Sequence, residues 1–445
     1  MAPDSPVPLQ PSRRRLLRGS AALGALAALG PLAACGSPAA LAGGDRRVRF
    51  WNLFSGGDGA NMRAMLDDFR AAHPDIQVED TTLAWGDRYY TKLAMAGAGG
   101  RAPEVGVLHL GRLGGFAPGR LLDPLDTDLL ASLGVRREDF HTRLWDRATV
   151  DGRLYGLPLD IHASLCFYNR PACATAGLLD ERGRLTELTG VDAFLAALDE
   201  VRGVIGQSPL GWNALMPGEC WWTFLGLYTQ TGGAVLSADG TEIALDDDRA
   251  EEVLALMARL VADEYAIPGQ DLVGYFVNGG GLVLFGNWLT VDFVNAGLDF
   301  GATPYPNLFG TPATQAEAHC LVLPHQRGRG GGSNEAAHRL VAWLSRHSLD
   351  WARASHVPAY LPVLEDPAYL EMEPQAEYRT AMDLAVFDPP AWFFGTSSRG
   401  QNEVGVHLSA AAMGSVSPAE GVRGIRSALR RLLETRNPFG EESAA

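Results

Sequence analysis

Lysine is almost absent from this chain of 445 residues, in which Lys92 is the only lysine. A phosphate-binding loop needs the sequence Gly-Lys-Ser/Thr, whereas Lys92 lies between Thr91 and Leu93. This class of nucleotide-binding site is therefore excluded. A Schiff-base enzyme would have to use Lys92 as its nucleophile.

Positive charge as a whole is also scarce. The chain has 37 lysines and arginines against 52 aspartates and glutamates, which gives a formal net charge of −15. A surface this acidic repels phosphate backbones, so nucleic acid is excluded as a partner. It would not hold the protein on anionic lipid either, so any attachment to a membrane requires a covalent anchor.

Cysteine is sparse, with five in the chain. No Cys-x-x-Cys pair occurs, and no cysteine and histidine stand together at zinc-finger spacing, so we predict neither a metal site nor a cofactor. Cys166 and Cys173 form a disulfide if the segment between them turns back, which an exported protein permits. Buried free thiols are the alternative for this pair.

Residues 1–35 have the features of an export signal. Ser-Arg-Arg-Arg-Leu-Leu-Arg at 12–18 resembles a twin-arginine signal. The small apolar residues of 19–34 form a stretch that is shorter than the about 20 residues a membrane-spanning helix needs. The sequence therefore predicts export from the cytoplasm.

The export signal ends in a second motif. Leu-Ala-Ala-Cys-Gly at 32–36 resembles the lipobox of bacterial lipoproteins, in which the cysteine, here Cys35, is acylated. The small residues of 36–46 then form a flexible tether. We predict a lipoprotein on the outer face of the cytoplasmic membrane; a plain signal peptide with an incidental cysteine is the alternative.

Strand-like and helix-like segments alternate after the tether. The strand-like segments are 48–54, 76–79 and 104–110, and apolar residues recur at helical spacing in 60–72 and 85–96. This alternation predicts an α/β fold with a parallel sheet and crossover helices. Ligands of such sheets bind beyond the carboxyl ends of the strands, which places the loops 55–59 and 109–112 beside the expected site.

Several blocks of sequence occur in an order that is similar to a known family. They read FWNLFSGGDG, HPDIQVE, TLAWGDRYYTKLA, GGRAPEVGVLHLGRL, YGLPLD and LVLFGNWL. Over about residues 46–440 the chain resembles the extracellular solute-binding proteins of the carbohydrate class (family 1, the maltose-binding-protein cluster). Two departures are Cys166, where the family has an aliphatic or aromatic residue, and Cys173, where it has a large apolar one.

The resemblance implies a two-lobed, periplasmic-binding-protein-like (type II) fold with a ligand cleft between the lobes and a hinge that the chain crosses several times. The N-terminal lobe would contain 46–158 and 303–350. The C-terminal lobe would contain 162–299 and 355–440. The expected crossings lie near 159–161, 300–302 and 352–356. The expected partners are a carbohydrate and the transmembrane subunits of an ABC permease.

Sugars present a polar rim and an apolar C–H face, which proteins meet with carboxylates or amides and with aromatic rings. Candidate ligand contacts are polar or aromatic residues in the loops at the expected site: Asp58, Trp85, Asp87, His109, Asp160, His162, Trp212, Trp221, Trp222, Trp288 and Trp392. Each has a structural alternative, since tryptophans fill cores and Asp58 is placed to cap a helix. Trp51, Trp343 and Trp351 lie within regular segments and are predicted to be core residues.

The sequence therefore predicts a substrate-binding lipoprotein of an ABC importer that captures a mono- or oligosaccharide and is not an enzyme. No Gly-x-Ser-x-Gly or His-Glu-x-x-His motif is present. Two alternatives stay open. The solute could be a peptide, a polyamine or a metal complex, of which a polyamine suits the acidic charge. The protein could instead be a secreted glycoside hydrolase, whose paired carboxylates cannot be judged from sequence.

Overall fold

The structure is a computed structural model that describes residues 46–438. Its strands are β1 Arg47–Asn52, β2 Gln77–Thr82, β3 Val105–His109, β4 Leu122–Asp123, β5 Thr149–Val150, β6 Arg153–Leu154, β7 Gly156–Pro158, β8 Asp160–Asn169, β9 Leu210–Gly211, β10 Leu282–Gly286, β11 Phe300–Pro304, β12 Thr314–Glu317, β13 His319–Pro324, β14 Val357–Pro358 and β15 Ala385–Val386. The export signal, Cys35 and most of the tether lie outside the described residues.

Helices cover and connect these strands. They are α1 Gly56–Ala72, α2 Asp87–Ala98, α3 Leu113–Phe116, α4 Thr127–Ser132, α5 Thr142–Arg147, α6 Arg170–Thr175, α7 Val191–Ile205, α8 Pro217–Gln230, α9 Asp247–Ala262, α10 Leu272–Val277, α11 Thr290–Asn295, α12 Gly331–Arg346, α13 Ser348–Ala352, α14 Leu361–Leu364, α15 Pro367–Leu370, α16 Ala381–Leu384, α17 Arg399–Ala412 and α18 Pro418–Glu434. Within the described residues, none of these helices is long and apolar enough to cross a membrane.

The first sheet contains the strands predicted from the alternating segments. Its order is β2-β1-β3-β13-β4, with β7 paired to β13. The pairs β1–β2 and β1–β3 are parallel, and β13 runs antiparallel to β3. Helix α1 buries Met62, Met65, Leu66 and Phe69, which recur at helical spacing, so one apolar face of the helix packs in the core.

The second sheet is built around the long strand β8. Its order is β15-β12-β8-β10-β9, and β11 and β14 also pair with β8. Alternate side chains of β8 enter different cores: Leu165 and Phe167 belong to one apolar cluster, and Cys166 and Tyr168 belong to the other. Because both faces of the sheet are covered, β8 reads as a nearly continuous apolar run.

The chain passes between the two sheets at three places. It leaves β7 for β8 at Leu159, returns from β12 to β13 at Ala318, and passes from α13 to β14 through 353–356. The crossing expected near 300–302 is corrected, because β11 pairs antiparallel with β8 and β12 pairs with β8 as well. The segment 303–317, expected in the N-terminal lobe, therefore belongs to the second sheet.

The cysteines of the described residues do not form disulfides. Cys166, Cys173, Cys220 and Cys320 are all free and buried. Burial raises the pKa of the Cys173 thiol to about 12 and that of Cys220, which also lies near Glu219, to about 12. The first of the two alternatives for Cys166 and Cys173, a disulfide, is thus excluded, and both thiols fill the second core.

Candidate functional site

A cavity of about 630 Å³ lies where strands of both sheets end. On the side of the first sheet, the turn 53–55 after β1 and the first residues of α1, 56–58, line it, and the end of β3 adds His109. From the second sheet, Phe285 at the end of β10 and Glu317 at the end of β12 complete the walls. The volume falls within the roughly 300–1,000 Å³ of sites for small ligands, and its position is the usual one in α/β sheets.

Aromatic rings form one wall of this cavity. Trp288 lies at the centre: its ring centroid is 5.6 Å from that of Trp222 and 5.3 Å from that of Phe285, and both contacts are edge to face. Trp85 also lines the cavity and is 52% exposed. Flat rings that are open to a cavity provide the apolar surface on which the C–H face of a sugar ring packs.

Carboxylates supply the polar part of the lining. Asp58, Glu219, Asp292 and Glu317 line the cavity, whereas no arginine or lysine of residues 46–438 does so. Burial raises the pKa of Glu219 to about 8, and its Oε2 atom has no hydrogen-bond partner among the described residues. A buried carboxyl oxygen without a hydrogen-bond partner costs free energy, and a hydrogen bond to a bound ligand would remove that cost.

Glu317 is held in place by two backbone amides. The amides of Gly111 and Ala318 donate to its Oε1 over 3.1 and 3.0 Å. Burial, reinforced by the nearby Asp388, raises the pKa of Glu317 to about 7, although these two hydrogen bonds oppose the shift. Near neutral pH Glu317 can therefore either donate or accept a hydrogen bond.

A cluster of histidines around Asp160 forms the floor of the cavity. Oδ2 of Asp160 accepts from Trp351 Nε1 over 2.6 Å and lies 2.8 Å from His319 Nδ1, and Oδ1 lies 3.2 Å from His162 Nδ1. His356 Nδ1 lies 3.8 Å from Oδ2 of Asp160. We refer to Asp160, His162, His319 and His356 as the histidine cluster; all four are buried.

The electrostatics of the cluster follow from burial and mutual charge. Burial opposes ionisation of Asp160, but His319, His356 and the hydrogen bond to His162 outweigh it and hold its pKa well below the ordinary value. Burial and the nearby His319 lower the pKa of His162 to about 4. Burial also lowers the pKa of His356, but the charges of Asp58 and Asp160 reverse this, so its pKa lies above the ordinary value.

Six residues singled out in the sequence line the cavity. They are Asp58, Trp85, His109, His162, Trp222 and Trp288. His109 is fixed by a 2.6 Å hydrogen bond between its Nδ1 and the hydroxyl of Tyr90. Contact of these six with a solute stays a prediction. Asp160 does not line the cavity; it is completely buried beneath it and acts on the histidines.

Two predicted ligand contacts are corrected because their side chains are completely buried. Trp212 donates to Thr223 Oγ1 over 3.0 Å, and Trp221 donates to Asp388 Oδ1 over 2.7 Å. Trp221 also stacks on Phe394, with centroids 5.0 Å apart. Trp221 and Trp222 are neighbours on α8, but only the second is on the face that lines the cavity. Both tryptophans lie close to Glu219 in the sequence, so proximity to a polar residue does not reveal which of the two side chains faces the cavity.

Two further candidates lie outside the cavity lining. Trp392 packs against the second apolar core beside Phe393. Asp87 is exposed and pairs with Arg112 over 3.2 Å. Both lie in loops rich in aromatic and polar residues, but many surface loops share this property, so it does not identify a ligand contact. As predicted, Trp351 is a core residue.

The sequence reasoning missed several lining residues. Glu317, His319 and His356 come from the second and third crossings between the sheets, and Gln315 and Asp292 lie nearby in the lining. One signal was present: Glu317 and His319 interrupt the otherwise apolar run 316–323. A charged residue within such a run requires a specific partner when it is buried.

Comparison with known proteins identifies the family. The sequence profile described as "Bacterial extracellular solute-binding protein" matches residues 55–345. The chain belongs to this family. Solved structures of related fold include the GacH receptor of Streptomyces glaucescens, solved unliganded and with acarbose (TM-score 0.74, 20% identity, 87% of this chain and 98% of that one). UgpB of Mycobacterium tuberculosis, solved with glycerophosphocholine, is equally similar (TM-score 0.74, 21% identity, 88% and 99%).

A relative among curated proteins is the maltodextrin-binding protein MdxE of Bacillus subtilis (strain 168), which is 26% identical over 231 residues, or 48% of this chain. The match spans about half the length of that relative, 50%. The structural neighbours establish the fold: this solute-binding protein has the two-lobed, type II architecture expected from the resemblance.

Proposed function

We propose that this protein captures a mono- or oligosaccharide in the cavity between its two sheets and delivers it to the permease of an ABC importer. The observation that carries the proposal is the lining itself, in which Trp85, Trp222 and Trp288 stand with Asp58 and Glu317 around one cavity of about 630 Å³. Rings for the apolar face and carboxylates for the hydroxyl groups are the two elements that a sugar requires.

The relatives support a sugar as the solute. MdxE is named for maltodextrin, and the GacH receptor was solved with acarbose, a sugar-like ligand. The family description places its members outside the cytoplasm. We propose that the export signal and Cys35 keep this protein, as a lipoprotein, at the outer face of the cytoplasmic membrane, and that it releases its solute unchanged rather than acting as a glycoside hydrolase.

Closure of the two lobes is part of this proposal. The chain crosses between the sheets at Leu159, Ala318 and 353–356, and the cavity lies beside these crossings. Rotation about short crossing segments would bring Trp85, on the first lobe, toward Trp288, on the second. A bound sugar would then be enclosed from both sides.

The charge of the cavity favours a second candidate, a cationic solute such as a polyamine or an amine-bearing sugar. Four carboxyl groups line the cavity, and no lysine or arginine of the described residues does. Glu219, whose pKa burial raises to about 8, is mostly protonated at neutral pH, so the negative charge comes from the other three. Tryptophan rings also attract quaternary and primary ammonium groups. UgpB was solved with glycerophosphocholine, which carries a quaternary ammonium group.

A calorimetric screen separates these candidates. Neutral maltooligosaccharides, amine-bearing sugars and linear polyamines would be titrated into the protein at about 50 and about 500 mM salt. A neutral sugar binds with an affinity that is nearly independent of salt, whereas a cation loses affinity as salt rises because its attraction is screened. Binding of polyamines alone would overturn the sugar proposal. Release of reducing ends from an oligosaccharide would show hydrolysis instead.

A further inference from the structure

The histidine cluster combines ligands from all three crossings between the sheets. Asp160 and His162 belong to the first crossing, His319 to the second and His356 to the third. One possible ligand atom from each of the four residues lies within 4.8 Å of the other three. Asp160 and His319, for example, are 159 residues apart along the chain, so only the fold brings the four residues together.

A second observation shows that the cluster is not saturated by its own contacts. Nδ1 of His356 has no hydrogen-bond partner among the described residues, although the residue is only 1% exposed. Its Nε2 lies at an ion-pair distance of 3.2 Å from Oδ2 of Asp58. A buried imidazole nitrogen without a partner, such as Nδ1, costs free energy, and a ligand at the cluster would remove that cost.

We propose that Asp160, His162, His319 and His356 bind a divalent transition-metal ion, with Zn²⁺ as the ion that the ligand set fits best. Three imidazoles and one carboxylate are a common set for tetrahedral Zn²⁺, with bonds of about 2.0–2.2 Å. Neighbouring ligand atoms of such a site lie about 3.3 Å apart. In the histidine cluster, Oδ2 of Asp160 lies 2.8 Å from His319 Nδ1 and 3.8 Å from His356 Nδ1, and Oδ1 lies 3.2 Å from His162 Nδ1.

The surroundings of the cluster resemble those of a metal site as well. Trp351 donates its indole N–H to Oδ2 of Asp160, and the backbone amide of His319 donates to Oδ1 over 2.9 Å. Outer hydrogen bonds of this kind orient a ligating carboxylate. On binding, the ion displaces the protons that His162 and His319 share with Asp160, and these protons pass to the solvent.

The position of the ion has a structural consequence. It would connect the three crossing segments directly, because each segment contributes at least one ligand. His162, His319 and His356 also line the cavity, so the ion would sit at the floor of the solute site. The proposal concerns the chain's own residues and does not depend on which solute is bound.

Cobalt substitution tests the proposal. The full chain, purified without a histidine tag and freed of metal by chelation, would be titrated with Co²⁺. We expect one Co²⁺ per chain, the strong visible absorption of a tetrahedral complex, and its loss on addition of one equivalent of Zn²⁺. His319→Gln and His356→Gln should abolish the absorption, while His73→Gln, a change at a histidine outside the cluster, should leave it unchanged.

Two results would overturn the proposal. One is the weak spectrum of octahedral Co²⁺, or no binding at all, in the folded wild type. The other is retention of the tetrahedral spectrum in both cluster variants. If these variants fail to fold, X-ray absorption of the zinc-loaded wild type decides: three imidazole ligands support the site, and two or fewer, or any sulfur ligand, contradict it.

Discussion

The ring of Trp288 lies against the backbone of Gly286, so closely that a Cβ atom on Gly286 would stand 2.1 Å from two atoms of the indole. The φ angle of Gly286 is −72°, which any residue can adopt. The glycine is therefore required for space rather than for its backbone conformation. The position of Trp288 in the cavity wall depends on the absence of a side chain two residues earlier.

Gly286→Ala should displace Trp288 and weaken sugar binding without removing any side chain from the cavity. We expect a loss of at least about fivefold in affinity if even 1 kcal/mol of ring contact is lost. Titration calorimetry measures it. Gly114→Ala is the matched control, since nothing lies within 4 Å of a Cβ atom there. Equal affinity in both variants would show that the ring does not contact the sugar.

Trp85→Ala tests whether the ring of Trp85, on the other side of the cavity, contributes to sugar binding without contributing to stability. Because Trp85 is 52% exposed, its removal should change the Tm very little. Burial of its ring under a sugar would contribute about 1–3 kcal/mol, or roughly 5- to 150-fold in affinity. Val406→Ala, at an exposed position outside the cavity lining, is the control. A variant with unchanged affinity would remove Trp85 from the sugar site.

The raised pKa of Glu219 predicts that the stability of the protein depends on pH. Its pKa rises from 4.5 to about 8 on burial, so the folded protein holds a proton that the unfolded chain loses above about pH 4.5. The contribution of this carboxyl group to the free energy of unfolding is therefore present at low pH and is lost as the pH rises toward 8. The ionisable groups near it are Cys220 and Tyr305.

Glu219→Gln removes this proton exchange. Between about pH 5 and pH 8.5 the Tm of the wild type should therefore fall relative to that of the variant. Thermal melting at several pH values measures the difference, and Glu251→Gln, at an exposed position, should follow the wild type. Parallel curves for wild type and Glu219→Gln would mean that Glu219 is already ionised in the folded protein.

The lipid anchor is tested by fractionation of cells. Cys35→Ser should move the protein from the membrane to the soluble fraction, because no other acylation site is predicted at the N-terminus. Ser37→Ala, two residues further along the chain, should leave it on the membrane. A Cys35→Ser protein that resists extraction with carbonate would show that a different anchor is present.

Much of the first sheet could be predicted because its signals are local. Strand β1, helix α1 and strand β2 are adjacent in sequence, and their apolar spacing differs between strand and helix. The second sheet, which contains β11 and β12, could not be predicted from such local signals. Both strands pair with β8, which lies about 150 residues earlier in the chain. Glu317 of β12, for example, is opposite His162 of β8 in the sheet. Long-range pairing of short strands leaves no periodic signal.

The same distinction applies to the candidate site. The segment after β1 that contains Asp58 and the end of β3 with His109 can be located from the ends of strands, a local feature. The two faces of α8 could not be separated at Trp221 and Trp222, because apolar residues occupy most of that helix. The histidine cluster was invisible in the sequence since His319 and His356 meet Asp160 only through the crossings between the sheets.

The central claim, that a sugar binds against Trp288 in this cavity, is tested most directly by one titration. Calorimetry would compare the wild type, Trp288→Ala and Trp343→Ala with the best saccharide from the screen, and the Tm of each unliganded protein would be recorded. Trp343 packs on His347, outside the cavity lining. We predict that Trp288→Ala binds at least about fivefold more weakly while remaining folded, and that Trp343→Ala binds like the wild type. A Trp288→Ala protein with lowered Tm and unchanged affinity would place this ring in the core and contradict the proposed site.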